Sequence, residues 1–159
     1  MIRTVRPATI DEKTIVGALQ QPYLHELNQY GTMTLDKSGH YVYRYLDAYW
    51  TEQSRYPYLI FHGRKVAGFA LVRDVRGTHL MAEFFILYLY RRSGLGMRAA
   101  SELLARHPGK WHIEFYNTNT GAAAFWREVA VRNAVGVVRE RKAGWTRTCL
   151  ILETKRAEG

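Results

Sequence analysis

The sequence has a single cysteine and four prolines, and its longest apolar run, Phe84 to Tyr90, is far too short to span a bilayer. A lone thiol excludes an intramolecular disulfide and any cysteine-rich zinc site. Cys149 lies in the apolar run Cys149-Leu150-Ile151-Leu152, where a buried, inert thiol in a core strand is expected. There is no internal repeat, low-complexity segment or linker, and the stretch MIRTVRPATIDEK carries charge where a secretory signal needs an apolar region. These absences point to a cytoplasmic protein, not attached to a membrane, folded as one domain over residues 1–159. His25 and His62 lack partners at ligand spacing, so no metal site is expected.

Acidic residues are also in short supply, and the shortage is local. Up to residue 90 there are ten Lys/Arg against eight Asp/Glu, whereas from residue 91 onward there are thirteen against six. Most of the formal charge of +9 therefore belongs to the C-terminal part. Such an excess suits a phosphorylated cofactor or a nucleic acid on that side. A hydrophobic content of 47% over 159 residues is enough for a proper core.

Apolar alternation predicts a strand over Ile2–Arg6, closed by Pro7. Thr9 with Glu12 is a capping-box pattern, which predicts a helix from Ile10 to about Leu27 with a bend or restart near Pro22. Gly31 to Gly39 reads as a polar loop, and Tyr41–Glu52 as a second helix. Tyr58–His62 and Lys65–Val72, joined by Gly63-Arg64, form a hairpin, and His79–Leu87 adds a third antiparallel strand. A helix ending at His107, a strand over Lys110–Tyr116, a helix over Gly121–Val131 and a closing hairpin of Val135–Arg139 with Thr146–Thr154 complete the order. The class is α/β or α+β, with a mixed sheet and helices on its faces.

Between the third strand and its helix lies the string EFFILYLYRRSGLGM, Glu83 to Met97. The first N–H groups of a helix have no intrahelical partner and lie at the positive end of its dipole, so a strand-to-helix turn is a ready anion site. Gly94 and Gly96 allow close approach of an anion, and Arg91, Arg92 and Arg98 add charge. On these residues alone, an anion site and an ordinary glycine turn are equally good readings.

The turn fits R-x-x-G-x-G, and Asn119 to Trp126 fits N-x-x-A-x-x-F-aromatic. With these two motifs in this order, the chain resembles the GNAT N-acyltransferase superfamily, and its local texture is similar to a bacterial branch of predicted acetyltransferases. The resemblance spans Ile2 to Leu152. It implies a mostly antiparallel sheet of about six to seven strands flanked by about four helices, and acetyl-CoA as co-substrate. By the same resemblance Arg91, Arg92, Ser93, Gly94, Leu95 and Gly96 cradle the pyrophosphate. Ile86 and Tyr88 offer backbone groups to the pantetheine, and Asn119 and Phe125 flank that arm. The thioester would lie where the strand before the turn and the next strand splay apart.

Amide formation needs a base for the ammonium proton, donors for an oxyanion and a proton for the leaving group. Glu83, a carboxylate inside an apolar strand beside that gap, is the candidate base, and burial would raise its pKa. A backbone N–H near Ile86 is the oxyanion donor that the resemblance implies. Trp126 stands where many members of the superfamily carry a tyrosine acid, and its indole N–H cannot take that role; either another group such as Tyr116 or water supplies the proton, or the leaving group is not a thiolate. His25, Glu26, Tyr30, Tyr43, Asp47 and Trp50 are candidates for lining the acceptor pocket. The expected activity is transfer of an acetyl or short acyl group to a primary amine of a small molecule or peptide. Two alternatives stay open: an aminoacyl-tRNA donor or tRNA-linked acceptor, and a catalytically inactive CoA-binding module. Oligomeric state is open as well.

Overall fold

In the computed structural model, which describes residues 3–156, Val5–Pro7 forms the short first strand, β1. Thr9 then caps a turn of 3-10 helix, its N–H donating to the Glu12 carboxylate at 3.0 Å, and the helix α1 follows over Lys13–Leu27. Pro22 sits inside α1, which runs through it. A four-residue helix, α2 (Ala48–Thr51), precedes three long strands: β2 (Arg55–His62), β3 (Lys65–Val75) and β4 (Thr78–Ile86). The rest comprises α3 (Leu95–Arg106), β5 (Lys110–Tyr116), α4 (Thr120–Asn133), β6 (Arg139–Ala143) and β7 (Arg147–Glu153).

The seven strands form one sheet in the order β1-β2-β3-β4-β5-β7-β6. All neighbours are antiparallel except β4 and β5, which the α3 crossover makes parallel. β3 is buried on both faces from Ala67 to Val72, as a central strand must be when helices cover both sides. On one face α3 and α4 bury Leu95, Ala99, Leu103, Leu104, Trp126 and Val129 against the sheet. On the other, α1 and α2 bring Val16 and Tyr49 onto Leu59, Phe69, Leu71 and Phe85. The outer strand β6, Arg139-Glu140-Arg141-Lys142-Ala143, is almost wholly charged, which blunts it against pairing with another chain. Among the described residues no helix is long and apolar enough to cross a membrane.

Three expectations need correction. The segment Tyr41–Glu52 is helical only over Ala48–Thr51, because its start is tied to α1. There the Gln21 amide bonds the Tyr41 backbone in both directions, donating to its carbonyl at 2.8 Å and accepting from its N–H at 2.9 Å. The closing hairpin is built from Arg139–Ala143, not Val135–Arg139, since the chain first turns through Gly136 at φ +83°. The first strand covers Val5–Pro7, and Ile2 lies outside the described residues.

Two features of β4 open the site. It pairs with β5 only through Thr78, His79 and Leu80, opposite Lys110, Trp111 and His112, so from Met81 onward the two strands diverge. Toward β3, Leu71 faces Glu83 while Val72 faces Met81, which leaves Ala82 as an extra residue in a β-bulge. Met81 consequently joins the core under α3 and α4, while Glu83 turns to the α1 face with Leu71 and Phe85.

The tightness of the β3–β4 ladder rests on Gly68, where a Cβ would stand 1.9 Å from the Phe85 carbonyl oxygen. Gly68→Ala should therefore destabilise the fold by roughly 2–4 kcal/mol. Gly121→Ala, at a helical position where the nearest atom lies 3.9 Å from the new methyl group, should be neutral or slightly stabilising. Chemical denaturation midpoints of the two variants check this contrast.

Candidate active site

Glu83 is part-buried on the α1 face of β4, and the Tyr23 hydroxyl, from the buried stripe of α1, donates to its carboxylate. Burial pushes the Glu83 pKa up to about 7, against the opposing pull of the hydrogen bonds from Tyr23 and Tyr43 and of the Arg147 guanidinium. Both tyrosine hydroxyls are held above their ordinary range, by burial first and then by the Glu83 charge, so they stay protonated and donate. The result is a carboxylate close to half-ionised at neutral pH with its donors in place. That is the electrostatic state a general base needs.

The backbone beside Glu83 is also oriented. The Leu87 N–H donates to the Ala67 carbonyl on β3 at 2.7 Å. Strand alternation then turns the N–H and C=O of Ile86 the other way, toward the gap where β5 has diverged. The Ile86 carbonyl accepts from Arg91 Nε at 2.8 Å. The remaining end of the Arg91 fork pairs with both oxygens of Glu26 on α1, at 2.8 and 2.9 Å. Arg91 and Glu26 thus lock the end of β4 to α1.

Across the gap, Tyr116 ends β5 and stacks on Tyr30 with ring centroids 5.7 Å apart. Arg147 donates to the Tyr116 hydroxyl at 3.1 Å. Tyr30, Tyr116 and Arg147 are therefore brought together across the gap from β4, and the Arg147 charge reaches Glu83. The other pocket candidates are engaged elsewhere. His25 Nδ1 lies 2.9 Å from the Tyr41 hydroxyl. Asp47 pairs with Lys13, and the Trp50 indole donates to the Ala8 carbonyl at 3.0 Å from within the α1-side core.

At the far end of β4 a 3-10 turn, Tyr88–Tyr90, leaves Tyr88 and Leu89 in water and leads into the basic turn. Arg92 (φ +59°) and Gly94 (φ +81°) both adopt left-handed backbone just before α3, whose first N–H groups have no partner within the helix. Ser93 Oγ donates to the Tyr90 carbonyl at 2.7 Å, which holds the turn, and Leu95 anchors it in the core. At Gly96 a side chain would press on the Phe125 ring, 3.3 Å from a new Cβ, so this glycine lets α3 approach α4. Phe125 in turn lies against Phe84 and Trp126. Asn119 caps α4, its side-chain oxygen accepting from the Ala122 N–H at 3.1 Å. Trp126 is buried edge-on to Phe84, on the face of β4 opposite Glu83.

Neither a protein-family model nor a curated relative matches the sequence. Solved structures do match. An acetyltransferase from Thermus thermophilus superposes with a TM-score of 0.68 at 18% identity, over 96% of this chain and 97% of that one. A Bacillus subtilis acetyltransferase in complex with CoA does so at 0.58 and 11% identity, over 98% and 100%. A GNAT family acetyltransferase from Elizabethkingia anophelis with acetyl-CoA bound gives 0.58 and 13% identity, over 96% and 97%. The chain has the GNAT fold.

Within the GNAT fold of this chain, one strand carries both halves of the site. β4 presents Glu83 beside the gap and delivers the glycine turn to the start of α3. Sequence reasoning missed Tyr23 and Arg147. Tyr23 follows Val16 and Gln20 at helical spacing, so its place on the buried face of α1 was readable, but nothing local links it to a carboxylate sixty residues away. Among the described residues no three His, Cys, Asp or Glu side chains gather as a metal site.

Because the folded pKa of Glu83 lies above its unfolded value, its contribution to stability is complete below the ordinary carboxylate range and is lost as pH rises through about 7. Glu83→Gln keeps the hydrogen-bonded shape without the titration. Its stability relative to the parent should rise by up to about 3 kcal/mol between about pH 4 and pH 8.5. Thermal unfolding of both proteins across that range measures the divergence, and parallel curves would refute it.

Proposed function

We propose that the chain is a cytoplasmic, single-domain acyltransferase that moves an acetyl or short acyl group from acyl-CoA to a primary amine by direct transfer. The observation that carries this reading is Glu83, a proton-accepting carboxylate with a pKa of about 7, placed where β4 parts from β5 on the strand that ends in the glycine turn. The bound thioester supplies the activated acyl group. Glu83 takes the ammonium proton of the acceptor, while Tyr23 holds its carboxylate in position. The Ile86 N–H, turned into the gap, is the donor for charge developing on the acyl oxygen. The first N–H groups of α3, with Arg92 and Arg98, receive the pyrophosphate, and Arg91 works indirectly by fixing the Ile86 carbonyl and Glu26. Trp126, buried against Phe84, supplies no proton to the leaving thiolate; Tyr116 at the mouth of the gap or water takes that role. Tyr30, Tyr116 and Arg147 face the acceptor.

Isothermal titration should detect binding of acetyl-CoA and CoA. The kcat/KM for acetyl transfer to a productive amine should rise through about pH 7 as Glu83 ionises, and Glu83→Gln should lose about 100-fold or more together with that pH limb. Absence of CoA binding would overturn the reading. Loss of activity in Glu83→Gln with CoA binding intact would also count against an inactive CoA-binding module.

A second reading draws on the β6–β7 hairpin. There Arg141, Lys142, Arg147 and the fully exposed Trp145 line a groove of about 490 Å³ beside the acceptor side. Cations interleaved with an exposed aromatic ring suit single-stranded nucleic acid, so an aminoacyl-tRNA donor or tRNA-linked acceptor is the alternative substrate. Under it, tRNA affinity should fall steeply with salt, with a log–log slope of several units, and Trp145→Ala should weaken it. Binding that is indifferent to salt, or no binding, would eliminate this alternative.

A further inference from the structure

β3 begins where its antiparallel partner β4 ends, so the β2–β3 hairpin stands beside the basic turn at the same end of the sheet. Between them lies a groove of about 500 Å³, lined by His62, Arg64 and Lys65 from the hairpin and by Leu89, Tyr90 and Ser93 from the turn. The His62 and Tyr90 rings lie 5.3 Å apart, tilted by 32°, and join the two elements. No carboxylate lines the groove. Among the described residues, neither the Arg64 nor the Lys65 side chain has an ion-pair or hydrogen-bond partner. By contrast Arg6, Arg55, Arg91, Arg127 and Arg132 each hold a carboxylate. Two unpaired cations therefore flank an apolar rim on which Leu89 is 81% exposed. Ser93 belongs both to this groove and to the turn that starts α3, so a ligand seated on the helix start would continue into the groove.

We infer that the groove receives the 3′-phosphoadenosine end of CoA, with Arg64 and Lys65 pairing the 3′-phosphate and Leu89, His62 and Tyr90 lying against the adenine. The inference rests on the proposal that the start of α3 receives the CoA pyrophosphate. A terminal phosphate carries close to two negative charges at neutral pH and needs donors of its own. The helix start, Arg92 and Arg98 already answer the pyrophosphate, which leaves Arg64 and Lys65 for the second anion. The aromatic and partly apolar floor matches a purine face, and cations at its edge match the phosphate that hangs from the adjoining ribose.

Comparison of CoA with 3′-dephospho-CoA by isothermal titration tests the assignment, on the parent protein and on the double variant Arg64→Ala/Lys65→Ala. Both substituted side chains are exposed in a hairpin, so thermal unfolding should be unchanged. The parent should bind CoA about tenfold more tightly than dephospho-CoA, and the margin should shrink as salt is raised. The double variant should bind dephospho-CoA as the parent does but CoA about tenfold more weakly, which erases the discrimination. Equal binding of the two ligands by the parent, or discrimination that survives in the double variant, would overturn the assignment while leaving the helix-start reading intact. Failure of the parent to bind either ligand would overturn both.

Discussion

The hydrogen bond from Tyr23 to Glu83 is the contact on which the arrangement of the site depends. A carboxylate turned inward from a strand is costly unless something donates to it. Here the donor comes from α1, so the same contact that lowers this cost also fixes where α1 crosses the sheet. A second tie, Arg91 to Glu26, joins α1 to the turn at the end of β4. Between the two ties runs the stretch of β4 whose partner β5 has diverged. The gap is thus framed by side chains of α1, while its walls are backbone.

The bulge at Ala82 makes this possible. Strict alternation would set Met81 and Glu83 on one face and force either an apolar side chain toward the tyrosines or a carboxylate into the core under α3. The extra residue sends Met81 to one layer and Glu83 to the other. Chemistry and packing are served by neighbouring residues of a single strand.

The charge of the chain divides by partnership. Several arginines are spent on intramolecular carboxylates, and Arg147 is shared between Tyr116, Glu114 at 3.7 Å and the field at Glu83. Among the described residues, Arg92 and Arg98 at the basic glycine turn and Arg64 and Lys65 on the β2–β3 hairpin hold no carboxylate. A net charge of +9 says only that an anion is welcome. Which cations are free to receive it is a property of the folded surface.

Much of the architecture was legible in the linear chain, because strands and helices are written in short-range periodicity. The Gly63 hairpin, the strand at Lys110–Tyr116 and the helix after Asn119 all lie where the pattern puts them. The misreading at Tyr41–Glu52 has a definite cause: helical spacing of Tyr45, Leu46, Tyr49 and Trp50 is real, but the Gln21 amide, from another element, holds the Tyr41 backbone. Likewise the glycine turn and Glu83 could be named as candidates from residue type and order alone. What the sequence by itself determined is therefore the order of the main strands and helices, the basic glycine turn between a strand and a helix, and the presence of a carboxylate in an apolar strand. Only tertiary structure decided that Glu83 meets Tyr23, that Arg91 is committed to Glu26, that Trp126 belongs to the core, and that Arg64 and Lys65 stand beside Ser93. The reason is physical: local pattern sets backbone conformation within a few residues, whereas hydrogen-bond partners and burial depend on which distant segments the sheet order brings into contact.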